Sequence, residues 1–463
     1  MAETSTIELV GLPGSSPDTG NDSSPEVEQQ EAGGGGLGQE FSLPPVDRGK
    51  DAYLFLLACF MMEALVWGFP FSFGVFQDYY SNHPPFAGSS NIAVIGTCAM
   101  GIMYLDGTLV LAIIRKYPRR ARWAPFVGLF IMCLALAMSS FSTTVNHLIV
   151  TQGVFYAVGG SIAYMPTILY MDEWYVKRKG LAYGIMWSGT GLAGVVLPLL
   201  LQYFLNTYGY RTTLRIWACT LFVATMPLAY FIKPRLPISA ATHAKPFSLR
   251  FALSRAFLLY QTANIVEAVG YFLPTIYLPS YARDTLGAGS FTSALTILLN
   301  NVASVFGCVA MGWLIDRLHV TTCIMVSTVG AVAGAFLLWG FASSLPVLYA
   351  FCVVYGLFAG AFTSSWPGVM KELAGRGAAA EHDDDDDERR RTDPGLVFAM
   401  LAMGRGVGNV ASGPLSEVLV KDLPWRGEAA AGYGSGYGSL IVFTGVTALV
   451  GGASFLWRRV GWL

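Results

Sequence analysis

The sequence predicts an all-α integral membrane protein with twelve transmembrane helices in two six-helix halves and both termini in the cytosol. Three observations predict it. Twelve apolar stretches each approach the roughly 20 residues that a helix needs to cross a bilayer. Hydrophobic residues make up 54% of the 463 and charged ones 13%, about half the charged share of a soluble domain. Lys and Arg also fall between alternate pairs of stretches. The two tails and the connections after even-numbered stretches hold 23 of the 29, and the odd connections hold 4; Arg215 and Arg405 lie within spans. Positive connections stay cytosolic, which fixes the orientation.

Residues 1–50 read as a disordered cytosolic tail, dominated by GGGGLG (33–38), Ser, Pro and Glu. The sequon Asn21-Asp22-Ser23 is expected to stay unused on that side. The first span, 52–77, carries Glu63 and runs into WGFPFSFGVFQDYY (67–80). With no secretory signal peptide expected before it, this span is the targeting element. The second, 91–114, has Asp106 toward its cytosolic end and RKYPRR (115–120) beyond it. The third and fourth are 123–141 and 147–171, the latter with Gly159-Gly160 and Pro166. The fifth and sixth, 180–203 and 213–232, complete an N-terminal half of 51–232. A cytosolic linker, 233–255, follows.

The C-terminal half, 256–463, opens with 256–280, whose centre is NIVEAVGYFLP (264–274). Spans 290–315, 319–341 and 346–370 follow, the first of them carrying Asn300 and Asn301. A cytosolic loop, 371–394, contains DDDDDERRR (383–391), a run that reads as a solvated insertion. The last spans are 395–420 and 437–457. Glycines and prolines within spans permit close packing and bending. An internal repeat supports the division: Gly180, Leu181, Gly189, Gly191 and Val195 match Gly395, Leu396, Gly404, Gly406 and Val410 when 180–198 is laid on 395–413. Parallel halves around a midplane site are one transporter architecture.

Composition also excludes. A net charge of −1 gives no basic field for nucleic acid. The seven cysteines show no paired spacing for disulfides or zinc. There is no GxxxxGK[ST] loop for an ATP-driven pump. The five histidines lie in or beside connections, so no catalytic centre is apparent. The chain is read as a non-enzyme with no cofactor.

GWLIDR (312–317) resembles the GxLxDR loop motif of the major facilitator superfamily. The equivalent connection, GTLVLAIIRKYPRR (107–120), keeps the basic cluster but has Leu111 where the motif has aspartate. EWYVKRKGLAYGI (173–185), GRGVGNVASGPLSEVL (404–419) and WGFPFSFGVFQDYY (67–80) are similar to fungal members of the monocarboxylate porter family. The resemblance covers about 50–460 and implies the major facilitator fold. Three charged positions of the animal porters are absent, with Phe71, Ser304 and Cys308 in their places. The expected function is proton-coupled secondary transport of a small organic anion or carboxylate-bearing metabolite; the alternative, which the absent charges favour, is efflux of a larger, neutral fungal metabolite. A transporter-like sensor is the distant alternative. The expected setting is the plasma membrane or the vacuolar membrane, with the chain working as a monomer whose partners are substrate, protons and lipid.

Charged residues inside a bilayer are costly and mark pathways. Arg405, between Gly404 and Gly406, is the expected anchor for an anion, or else a buried ion-pair member holding the halves together. Glu267, Glu63 and Asp106 are candidate proton carriers, because burial lets a carboxylate hold a proton near neutrality. Asn264 and Tyr271 share a helix face with Glu267. Asn301, Phe71 and Trp187 complete the candidate substrate set. Asp316 and Arg317, by resemblance, and Asp172 and Arg178, in the cluster after the fourth span, are expected to gate the cytosolic side.

Overall fold

A computed structural model describes residues 43–89, 91–237, 249–379 and 392–463; among these, every regular element is a helix. The tail's GGGGLG run and the 383–391 charge run lie outside the described residues. Helix α1 spans Lys50–Asn82. It widens to π geometry over Glu63–Trp67 and turns at Ser72, whose hydroxyl donates to the Gly68 carbonyl at 2.8 Å. Pro70 has no amide to give the helix ladder, so the irregularity falls beside it. Helix α2 is a pair, Ile92–Leu105 and Gly107–Lys116, bent by 46° at Asp106. Helices α3, Ala124–Ser139, and α4, Val145–Trp174, follow.

Helix α5, Lys179–Ala229, is 51 residues long and is two helices abutting at Gly209, where φ is 73° and ψ is 169°. Only glycine takes that conformation cheaply. The predicted spans 180–203 and 213–232 fall on either side of the break. Helices α6 (Arg255–Leu286), α7 (Ser290–Ile315), α8 (Val320–Trp339), α9 (Leu345–Arg376), α10 (Pro394–Val420) and α11 (Gly438–Arg459) complete the described chain. Among the described residues eight helices are long and apolar enough to cross a membrane, nine with the bent pair. Helix α3 is apolar but short, and α6 is long but carries a polar face.

Small residues set the packing, as membrane helices require in the absence of a hydrophobic drive between them. Helices α5 and α7 touch backbone to backbone. A Cβ on Gly184 would lie 2.4 Å from the Cys308 carbonyl oxygen, and one on Gly312 would lie 2.4 Å from that of Gly180. Helices α3 and α4 meet through Gly128 and Gly159 in the same way. Helix α6 packs on α10 and α11, and α10 packs on α2. Outward faces carry large exposed apolar side chains such as Leu109, Phe130, Leu199 and Phe306. A surface of this kind is solvated by lipid.

Candidate substrate and coupling site

Arg405 stands mid-way along α10 and is 3% exposed. Its flanking glycines exist for approach. A Cβ on Gly404 would lie 2.3 Å from Gln261 Nε2, and one on Gly406 would lie 2.5 Å from Tyr104 Cβ. Helices α6 and α2 therefore close on Arg405 from both sides. Its guanidinium Nη1 donates to Glu267 Oε2 at 2.9 Å. It also lies 4.3 Å from the Tyr271 ring centroid and 5.4 Å from that of Phe272. Stacking on rings and pairing with a carboxylate are the two contacts a planar guanidinium makes best.

Glu267 is lodged against Gly451 of α11, where a Cβ would lie 2.9 Å from its own. The sequence leaves open a pair joining the two halves. The observed partners both lie beyond residue 255, so the ion pair ties α6 to α10 rather than bridging the chain's two ends.

Glu63 forms a second buried acidic position. It sits in the π segment of α1, 5% exposed, and accepts a hydrogen bond from the Thr190 hydroxyl. Its Oε2 is buried without a hydrogen-bond partner among the described residues. Helix α5 presses on this turn, since a Cβ on Gly189 would lie 2.6 Å from the Phe60 carbonyl oxygen. Asp106 is apart from both, at the bend of α2.

Below these groups an aromatic cluster joins α5, α9 and α10. Trp187 stacks on Phe398 at 6.0 Å and meets Trp366 edge-on at 5.9 Å. Its indole N–H donates to the Tyr164 hydroxyl at 3.0 Å. The other candidates are engaged elsewhere. Asn264 donates to the Leu401 carbonyl at 2.8 Å, leaving Oδ1 toward the interior. Asn301 donates to the Gly194 carbonyl at 3.0 Å, a bond between α7 and α5. Phe71 is partly exposed beside Trp67.

The candidate gating residues divide. The Asp316 carboxylate accepts from the Gly180 and Leu181 amides at 2.7 and 2.9 Å, capping α5 from the end of α7. Burial pushes its carboxyl up from the ordinary range, and the two amide bonds pull it back. Arg317 lies over the Trp313 ring at 3.8 Å. Asp172 pairs with Lys179 at 2.6 Å within its own connection. The Arg178 amide donates to Asp47, which also receives the Val176 and Lys177 amides.

At the repeat-related position, Leu111 packs near Gly395, and the N-terminus of α10 is capped instead by Asp393, which pairs with Arg115. The acceptor missing at 111 has moved onto the helix's own N-cap. Sequence reasoning missed Asp393, although Asp before Pro at a helix start is a cap signal. Asp47, Thr190, Tyr104 and Phe398 carry no such local signal.

Comparison with known proteins agrees with this architecture. The Major Facilitator Superfamily matches residues 121–381, more than half of the chain. "MFS-type transporter 1" of an Ophiocordyceps species is 28% identical, over 65% of this chain and 67% of its own length. "Monocarboxylate transporter 13" of Bos taurus is 28% identical, over 72% and 78%. "Fujikurins efflux protein" of Gibberella fujikuroi is 25% identical, over 69% of each chain. With long apolar helices around a buried ion pair and a superfamily match over most of its helical core, this chain is a multi-pass membrane protein that belongs to the Major Facilitator Superfamily of transporters.

Proposed function

We propose that the chain is a secondary transporter that moves a small organic anion or carboxylate-bearing metabolite together with protons by alternating access. The observation that carries this is the buried Arg405–Glu267 pair at 2.9 Å, with Tyr271 stacked on the guanidinium. A substrate carboxylate competes with Glu267 for Arg405, because guanidinium binds carboxylates bidentately. A displaced Glu267 is then a lone charge in an apolar interior, a costly state that uptake of one proton removes. Anion and proton thus travel as a neutral pair. Glu63 supplies a second acceptor across the interior, and Tyr271, Asn264 and Trp187 shape the site.

The topology fits twelve crossings. Helix α5 counts twice at Gly209, and the bent α2, the short α3 and the polar α6 count once each. Two six-helix halves, 51–232 and 256–463, then flank the linker, with both termini cytosolic. Asp316, Asp393 and the Trp187 cluster close the cytosolic side, with Asp172, Arg178 and Arg317 beside them. The setting is the plasma membrane, and a monomer suffices.

The test is uptake of a labelled carboxylate panel into reconstituted vesicles, with and without a pH gradient. Gradient-driven uptake that is lost in Arg405→Gln supports the reading. Wild-type uptake in that variant overturns the anchor. A second reading, export of a larger neutral metabolite, is favoured by the efflux relative and by the aromatic cluster. Its mark is metabolite export that survives Arg405→Gln.

A further inference from the structure

Helix α6 carries Tyr260, Asn264, Glu267 and Tyr271 on one face, at i, i+4, i+7 and i+11. Two small cavities open along this stripe, inside the bundle of α6, α8, α9, α10 and α11. One is lined by Tyr260, Asn264, Ser365 and Trp366. The other is lined by Glu267, Thr328, Tyr355 and Thr444. Phe362 lines both. Each offers about 10 Å³ to the centre of a water molecule, which is room for about one water.

Four polar atoms at these cavities are unsatisfied. Asn264 Oδ1, Ser365 Oγ, Trp366 Nε1 and Thr328 Oγ1 have no hydrogen-bond partner among the described residues. Their side chains are 2%, 1%, 4% and 4% exposed. Buried polar groups are almost always paired, with protein or with water. In the first cavity the set is complementary to one water: an indole N–H donates to it, an amide oxygen accepts from it, and a hydroxyl does either. At the far end, the Tyr260 hydroxyl donates to Glu372 Oε2 at 2.7 Å. Glu372 pairs with Arg376 at 2.7 Å beside His319, where α9 reaches its end.

We propose that these cavities hold two ordered waters forming a proton route from Glu372 to Glu267, separate from the face of Glu267 that meets Arg405. A proton taken up by Glu372 reverses that hydrogen bond: the protonated carboxyl gives its proton to the Tyr260 oxygen as the Tyr260 O–H, turned from Glu372 to the first water, gives up its own. That water passes a proton on when the Phe362 ring rotates aside, and the second water delivers one to Glu267. Each O–H bond made matches one broken, and one positive charge moves. Glu267 is faced by Arg405 from α10, Tyr355 from α9 and Tyr271 on its own helix. None of these is a titrating acid near neutral pH, so the route has one terminus. The inference rests on the proton-coupled reading and adds where the proton enters.

The test uses the full chain in lipid vesicles and two measurements. Infrared spectroscopy follows the Glu267 carboxyl band, identified by its loss in Glu267→Gln, after mixing with D2O. In Ser365→Val and Thr328→Val, exchange of that band is expected to slow about a hundredfold, the lower end of what a positioned proton-transfer group contributes. Unchanged exchange in both variants, or no Glu267 band between about pH 4 and 9, overturns the route. The second measurement compares gradient-driven uptake with exchange of labelled for unlabelled anion at equal pH. Gradient-driven uptake alone is expected to fall, and equal loss of both rates overturns the route. If wild type carries no carboxylate, the transport reading fails while the infrared measurement still decides the route.

Discussion

The guanidinium of Arg405 and the carboxylate of Glu267 are each satisfied mainly by the other, so neither is removed cheaply alone. Breaking a buried pair by deleting one partner costs about 3–5 kcal/mol, whereas deleting both leaves no orphan charge. Arg405→Gln is expected to lower the thermal midpoint in detergent, and adding Glu267→Gln is expected to restore most of it. A double variant as unstable as the sum of the singles would show that the two do not interact. Transport is expected to separate from stability: the double variant folds but carries no anion, because the restored packing lacks a cation. Glu63 differs because no cation pairs with it among the described residues. Glu63→Gln is expected to leave stability within about 1 kcal/mol of wild type, the scale of one hydrogen-bonded partner, and to alter the pH profile of uptake.

Helix ends and helix contacts carry the next level. His319 caps α8, its Nδ1 accepting from the Thr321 amide at 3.3 Å. Burial, and then Arg458, hold its pKa below the ordinary value, with Glu372 opposing. A depressed folded value means that its contribution is present above about pH 6.5 and is lost as pH falls through the folded value. The chemistry agrees, since a protonated Nδ1 cannot accept. The midpoint is expected to drop on acidification in that window. His319→Asn, a cap that does not titrate, is expected to remove the drop, as scanning fluorimetry at paired pH values would report. Between helices, Gly184 allows α5 to touch α7. Gly184→Val is expected to force them apart and abolish transport while the protein still reaches the membrane; wild-type transport in that variant would refute the close contact.

Two caps of unlike origin hold one end of the whole molecule. Asp316 reaches from the end of α7 to cap α5, and Asp393, paired with Arg115, caps α10 from its own N-terminus. Asp316→Asn weakens a contact between helices, whereas Asp393→Asn weakens one within a helix and loosens its tie to α2. Spin-label distances across this face are expected to lengthen more for the combined variant than for either single. Unchanged distances in all three would remove both residues from gating.

The positions of the helices, their apolar outer faces and the mid-helix buried charges Glu63, Glu267 and Arg405 follow from sequence alone, because a bilayer demands long apolar helices and makes a charge within one conspicuous. The bend at Asp106 and the break at Gly209 sit where the sequence places a span's polar residue and a connection. Partnership could not be read in the same way. Glu267, Glu63 and Asp106 are all carboxylates assigned to spans, and only the packing of α6 on α10 makes Glu267 the partner of Arg405. Leu111 stands where the loop motif has aspartate, and only the folded chain shows Asp393 capping the helix beside it. The two cavities along α6 depend on which side chains from four other helices turn inward. Local composition sets what a segment must be in lipid, whereas pairing between distant charges depends on helix rotation and approach, which the glycines permit but only the assembled bundle fixes.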